Sequence, residues 1–265
     1  VSSDAANALA ARVALFQNKM TDAANYAEAV LANSSFSLAS TAMDFSKNWV
    51  AGSSSPEIIF AYVNNSRASS PLNFTLYVND TDGSWNYAPS DWCYNSLFAD
   101  DNTLSRKGDV RLKATFTSQD ANRVIKYPNG TYQLAETSDY TCTPVVISRI
   151  SEMYLIKAEA LGKTNGAAAL VEYMKKRYTT APSEAAIKAL SDKEYQTLIL
   201  DERRREFYAE GMRWQDIKRT NRLELLETLD GRTYLMYYPI PQDEIDMAGT
   251  VAYPQNPGYA GYTGN

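Results

Sequence analysis

Three carboxylates recur at four-residue steps in LILDERRREFYAEGMRWQDIKRTNRLELL: Glu202, Glu206 and Glu210. On a helix that spacing lines them along one face, where like charges repel unless cations lie between them. A carboxylate pair could serve glycoside hydrolysis, which sets two such groups about 5 to 10 Å apart across a substrate, one of them an acid of raised pKa. Arg203, Arg204, Arg205 and Arg213 stand in the same stretch, however, and can neutralise the carboxylates. Guanidinium–carboxylate pairs covered by Phe207 and Trp214 would be partly desolvated and sensitive to loss of either member. The expected role of Glu202, Arg203, Glu206, Arg213 and Trp214 is therefore structural. They should form an internal clamp within a helix from Glu202 to Arg219, with Trp214 packed, and no catalytic residue is expected.

Ligand chemistry points elsewhere, to NDTDGSWNYAPSDWCYN, Asn79 to Asn95. Trp85, Tyr87, Trp92 and Tyr94 stand there among turn formers, with Asn86 and Asp91 between them. Sugar rings offer apolar C–H faces to aromatic planes and hydroxyls to amides and carboxylates, so the mixture suits a glycan. The alternative is that the rings form the loop's own core. Asp80-Thr81-Asp82-Gly83 lacks the later ligands of a calcium loop and reads as a turn. Asp100 and Asp101 read as ordinary packing, and no metal ligand set is expected.

Composition narrows the function classes. The 265 residues are 45% hydrophobic, enough to bury a core, and contain no histidine, which removes the commonest general base and metal ligand. The formal net charge is -5, and Lys and Arg form no basic face, so a nucleic-acid partner is not expected. Cys93 and Cys142 make no CxxC motif and either pair or stay as buried thiols. No apolar run approaches the roughly 20 residues of a membrane-spanning helix. The chain starts at Val1, which reads as a processed or cut start.

The elements that must position these residues are mainly helical. Residues 1–33 have apolar residues at three- and four-residue steps around Gln17-Asn18-Lys19, which predicts a hairpin of alanine-rich helices. ISEMYLIKAEALGKTNGAAALVEYMKKRY, Ile150 to Tyr178, repeats the order of helix, Gly/Asn turn and alanine-rich helix. Two such pairs predict tetratricopeptide-like packing without a continuous array. Between them, residues 34–143 form a long loop-rich excursion with short strand-like runs at Glu57–Val63 and Arg123–Tyr127. Residues 144–229 read as helical and 230–265 as an irregular tail, all within one domain.

ERRREFYAEGMRWQDIKR, Glu202 to Arg219, resembles the signature helix of the SusD/RagB family. YYPIPQDEI, QNPGY, RISEMYLIKAEAL, PEIIFAYV and GDVRLKATF resemble further family segments and follow in the family's order. VEYMKKRY lacks the usual Asn-x-x-Arg pattern, and the Asn often found after the PIP motif is replaced near Met247-Ala248. The family's lipidated cysteine and leading helices do not precede the hairpin, so the resemblance is to the C-terminal portion. It implies a SusD-like fold and a non-catalytic nutrient-binding lipoprotein of Bacteroidetes, on the outer face of the outer membrane. It also implies a SusC-like TonB-dependent transporter as partner, no cofactor, and membrane attachment only through an N-terminal lipid anchor absent from this chain. The aromatic loop favours a glycan as ligand; a peptide-binding member of the same family and a helical-repeat adaptor are the alternatives.

Overall fold

The computed structural model describes residues 2–50, 55–63, 89–116, 124–127, 143–226, 229–248 and 254–260. The chain divides into two compact units, Val1–Met212 and Arg213–Asn265.

The first unit opens with helices α1 (Ser3–Phe16) and α2 (Met20–Leu31). Ser2 caps α1 by accepting from the Ala5 amide at 3.1 Å. Asn18, at φ 58°, turns the chain back, a conformation asparagine tolerates better than most residues. The buried face of the hairpin is Ala8, Ala11, Ala14, Ala23 and Ala27, packed with Ile150, Met153 and Ile156. Short side chains let the backbones approach closely, as the alanine pattern predicts.

After the short α3 (Ala42–Ser46), strand β1 (Ile58–Tyr62) pairs antiparallel with β3 (Val145–Arg149), Ile58 opposite Arg149. Strand β2 (Lys107–Asp109) pairs with β4 (Tyr178–Thr180), Asp109 opposite Tyr178. Helix α4 (Val110–Thr115) starts on Asp109, whose carboxylate accepts the Arg111 amide at 2.9 Å. These small sheets matter mainly because they bring charged residues at strand ends together.

Helix α5 (Ile150–Arg177) is the second helical pair, broken at Gly162 (φ 66°, ψ 174°). Gly166 then passes so close to the first half that a Cβ there would lie 2.2 Å from the Ala158 carbonyl oxygen. Helices α6 (Glu184–Lys188) and α7 (Asp192–Glu206) follow, α7 opened by a reciprocal Ser191–Glu194 capping box. Tyr195, Leu198 and Ile199 of α7 join Ala167, Leu170 and Met174 of α5 in the largest apolar core.

The helix expected from Glu202 to Arg219 is two helices. α7 ends at Glu206, and Ala209 (φ 66°) and Gly211 (φ 78°) adopt left-handed conformations before α8 (Met212–Thr220) begins. The carbonyls freed by the break are capped from elsewhere. Lys126 Nζ donates to the Glu206 and Tyr208 oxygens at 2.9 Å each, and the Tyr127 hydroxyl donates to the Ala209 oxygen at 3.1 Å.

In the second unit, the tail after the short helix α9 (Gln242–Met247) folds back on the segment preceding it. The Gln255 side chain accepts from the Ile240 amide at 2.7 Å and donates to its carbonyl at 2.9 Å.

Candidate functional site

Glu202 and Glu206 lie in a buried ion network, assembled differently from the sequence expectation. Glu206 Oε1 accepts from Arg149 Nη1 at 2.5 Å and Arg177 Nη2 at 2.9 Å. Its Oε2 accepts from Arg177 Nε at 2.9 Å, Tyr173 OH at 2.8 Å and Arg111 Nη1 at 3.4 Å. Glu202 is held by Arg111 Nη2 and Arg205 Nη1, both at 2.9 Å, and by the Tyr178 hydroxyl at 2.6 Å. Glu57 supplies the third buried carboxylate, 2.7 Å from Arg177 Nη2 and 3.3 Å from Arg149 Nη1. Glu210 closes the cluster against Lys126 Nζ at 2.5 Å and Arg149 Nη2 at 2.7 Å.

Of the four arginines expected as partners, Arg205 reaches Glu202 one turn back at 2.9 Å. Arg203 is buried with its guanidinium over the Phe207 ring, 5.2 Å from the centroid. Arg204 points to Trp92, and Arg213 belongs to the second unit. The dominant partners Arg111, Arg149 and Arg177 come from three distant stretches. Arg111 stands near the start of α4, Arg149 ends β3, and Arg177 closes the Lys175-Lys176-Arg177 run at the end of α5; only their places in the quoted motifs mark them in the sequence.

The aromatic cover differs too. Trp214, expected to be packed, is 38% exposed; it lies beyond the left-handed residues Ala209 and Gly211 that end the helical run. Phe207 covers Arg149 as expected, 5.3 Å from its guanidinium, and Trp49 and Phe45 supply the rest of the cover. The Trp49 ring lies 4.5 Å from Lys126 Nζ and 5.2 Å from the Arg149 guanidinium, and Phe45 lies 5.0 Å from that of Arg177.

Burial alone would raise the Glu206 carboxyl; Arg177, Arg149 and Arg111 overcome it and hold the group well below the usual carboxylate range. Glu202 is likewise lowered against burial by Arg111, Arg205 and Arg106. A general acid needs the opposite shift. Burial also pulls the Lys126 ammonium down to about 8, against the attraction of Glu210.

The second candidate is the aromatic loop. Trp85, Asn86 and Tyr87 lie outside the described residues, as do Asp80–Gly83. Asp91 and Trp92 lead into a π-helical turn, Cys93–Leu97, a form often found at functional sites. The turn is anchored below: Cys93 and Leu97 are buried with Phe98, Phe116 and Val124. The half-buried Tyr94 meets Phe116 edge-to-face at 5.8 Å. Arg205, the partner of Glu202, also donates from Nε to the Leu97 carbonyl at 2.5 Å, tying the turn to the ion network. Above this floor Trp92 is 44% exposed, with Asp91 exposed beside it. The Arg204 guanidinium lies 4.7 Å from the Trp92 ring centroid and has no carboxylate partner among the described residues. The turn thus presents an indole, a carboxylate and a guanidinium at the surface.

Burial raises the Cys93 thiol; Cys93 is free, and Cys142 lies outside the described residues. Asp100 accepts the Gly108 amide at 2.8 Å and Asp101 those of Thr103 and Leu104 at 2.9 and 3.1 Å, which is turn packing. Among the described residues no cluster of His, Cys, Asp and Glu could hold a metal ion.

The SusD family model matches residues 98–233, and the chain belongs to that family. It is 30% identical over 142 residues to the SusD-like protein P38 of Formosa agariphila, an alignment covering 49% of this chain and 27% of that protein. Among solved structures it resembles surface glycan-binding protein A from Bacteroides thetaiotaomicron. The TM-score is 0.64 at 22% identity, covering 98% of this chain and 64% of that one. A laminarin-binding SusD-like protein matches with a TM-score of 0.60 at 22% identity, covering 98% and 63%. A SusD superfamily protein from Bacteroides fragilis matches at 0.63 and 20% identity, covering 98% and 65%. These structures share the mainly helical fold, and the chain spans less than two thirds of the length of each of these relatives.

Proposed function

We propose that this chain is part of a non-catalytic, cell-surface glycan-binding protein that passes its ligand to a SusC-like TonB-dependent transporter of the outer membrane. The observation that carries the reading is the exposed Trp92, held on a turn whose underside is fully packed. A ring with a buried foundation loses little entropy on stacking against a sugar face. In this reading the exposed Asp91 accepts sugar hydroxyls, and Tyr94, packed on Phe116, is assigned as a further contact. Trp85, Asn86 and Tyr87 are assigned as further contacts on their chemistry alone. Family membership supports the binding role, and relatives described as laminarin-binding and surface glycan-binding support the glycan. Attachment to the outer membrane would come through a lipid anchor preceding this chain; among the described residues no helix is long and apolar enough to cross a membrane.

A glycan array followed by a product assay tests the reading. Binding of a polysaccharide without cleavage, weakened by Trp92→Ala, is the expected outcome. Binding of peptides alone would replace the glycan by a peptide ligand, and release of cleaved sugar would remove the non-catalytic role.

A further inference from the structure

The tail motifs YYPIP and QNPGY are absorbed neither by the ion network nor by the Trp92 turn. In the second unit they help form a cleft of about 450 Å³, lined by residues that include Lys218, Asn221, Thr233, Tyr234, Tyr237 and Gly258. That volume falls within the range of about 300 to 1,000 Å³ occupied by small-molecule sites.

The cleft is pre-formed. Besides the Gln255 bridge to Ile240, Asn256 Nδ2 donates to the Tyr238 carbonyl at 2.8 Å and the Tyr259 hydroxyl to the Tyr237 carbonyl at 2.6 Å. Gly258, at φ 90°, lies so near Tyr234 that a Cβ would be 2.3 Å from its Cγ, so the chain can cross that ring only as glycine. Tyr259 meets Tyr234 edge-to-face at 5.1 Å. Tyr234 is thereby fixed in the wall, while Tyr237 remains 61% exposed.

The lining is also chemically unspent. Among the described residues the side chains of Lys218, Asn221 and Thr233 and the hydroxyls of Tyr234 and Tyr237 make no hydrogen bond or ion pair to protein, although Lys218 Nζ sits 5.8 Å from the Tyr237 ring centroid. A smaller cavity of about 220 Å³ in the first unit lies beside the Arg12–Glu152 and Arg149–Glu210 pairs, whose charged groups already serve one another.

We propose that the tail cleft is a saccharide subsite: a sugar ring stacks on Tyr237 while Asn221, Thr233 and Lys218 meet its oxygens. Among the described residues Lys218 is the one charged group in the lining, which suits neutral or acidic sugars and disfavours cationic ligands. The proposal rests on the glycan-binding reading and adds a contact point in the second unit.

The test uses the chain with laminarin, starch and polygalacturonate as probes, reading affinity by calorimetry and the exposure of Tyr234 and Tyr237 by hydroxyl-radical footprinting. With the probe that binds, Tyr237 should be protected. Tyr237→Ala should weaken affinity about tenfold or more, the effect of losing one stacking ring, and Tyr237→Phe should retain most of it. Lys218→Gln should weaken it about threefold, as for one lost hydrogen bond. Both side chains are exposed, so the unfolding midpoint should not move. Unchanged footprinting at Tyr237 together with wild-type affinity in both variants overturns the subsite; if Trp92→Ala still weakens binding, the glycan reading survives. Failure of the wild-type chain to bind any of the three probes overturns the subsite and the glycan reading together.

Discussion

Glu206→Gln is the sharpest test of the ion network, because it keeps shape and removes one charge. The carboxylate is fully buried and accepts two bonds from Arg177, one from Arg149 and a longer one from Arg111. Hydrogen bonds to charged groups are each worth about 1.5 to 3 kcal/mol, and breaking a buried pair while its partner stays charged costs about 3 to 5 kcal/mol. Glu57 cushions the loss, since it also faces Arg149 and Arg177. Arg111 keeps Asp109 and Glu202. The net expectation is a loss of about 4 kcal/mol, a large part of the roughly 5 to 15 kcal/mol that stabilises a typical domain. The control is Glu184→Gln, which breaks an exposed i,i+4 pair with Lys188 and should cost less than about 1 kcal/mol. Urea unfolding at pH 7, followed by circular dichroism, measures both. A loss below about 1 kcal/mol for Glu206→Gln, with an unchanged m-value, would refute the claim that the buried charges depend on one another.

Other expectations follow from the same geometry. Glu202 and Glu206 have lowered folded-state pKa values, so they contribute stability at neutral pH that is lost as pH falls through those values; acid unfolding of the wild type should be steeper than that of Glu206→Gln. Lys126 works in the opposite sense: its folded value is about 8 against 10.5 for the free group. The unfolded chain therefore binds more protons in that interval, and this group's contribution to stability rises between about pH 8 and 10.5, a slope that Lys126→Met should flatten in denaturant titrations. Gly166→Ala forces a Cβ to within 2.2 Å of the Ala158 oxygen and should cost about 1 to 3 kcal/mol, measured by urea unfolding, as overpacking does. Trp92→Ala should weaken glycan binding by about 1 to 3 kcal/mol in calorimetry while the thermal midpoint barely moves.

Periodicity and turn chemistry carried much of the fold. The alanine faces of α1 and α2 and the glycine-marked break in α5 follow from short-range rules, and the structure contains both. The left-handed Ala209 was not legible, since alanine carries no signal for that conformation, and missing it misplaced Trp214. The partners of Glu206 were hidden for another reason. Arg111, Arg149 and Arg177 lie 95, 57 and 29 positions away from Glu206, and which lone arginine meets which carboxylate is decided by tertiary packing. Trp49 was missed as cover in the same way, as a single aromatic with no periodic partner.

What the sequence pattern could not separate, the helix separates by rotation. Arg203, Arg204 and Arg205 are consecutive, and each step turns about 100° around the helix axis. Arg203 and Arg205 are consequently buried while Arg204 emerges at Trp92. Arg205 then joins two functions, since its Nη1 holds Glu202 and its Nε holds the Leu97 carbonyl at the end of the aromatic turn. Arg204, bound to neither carboxylate, can be changed without disturbing that chain of contacts. Through Arg205 the helix that carries the buried charges is tied to the turn that bears Trp92, the surface that we assign to the ligand.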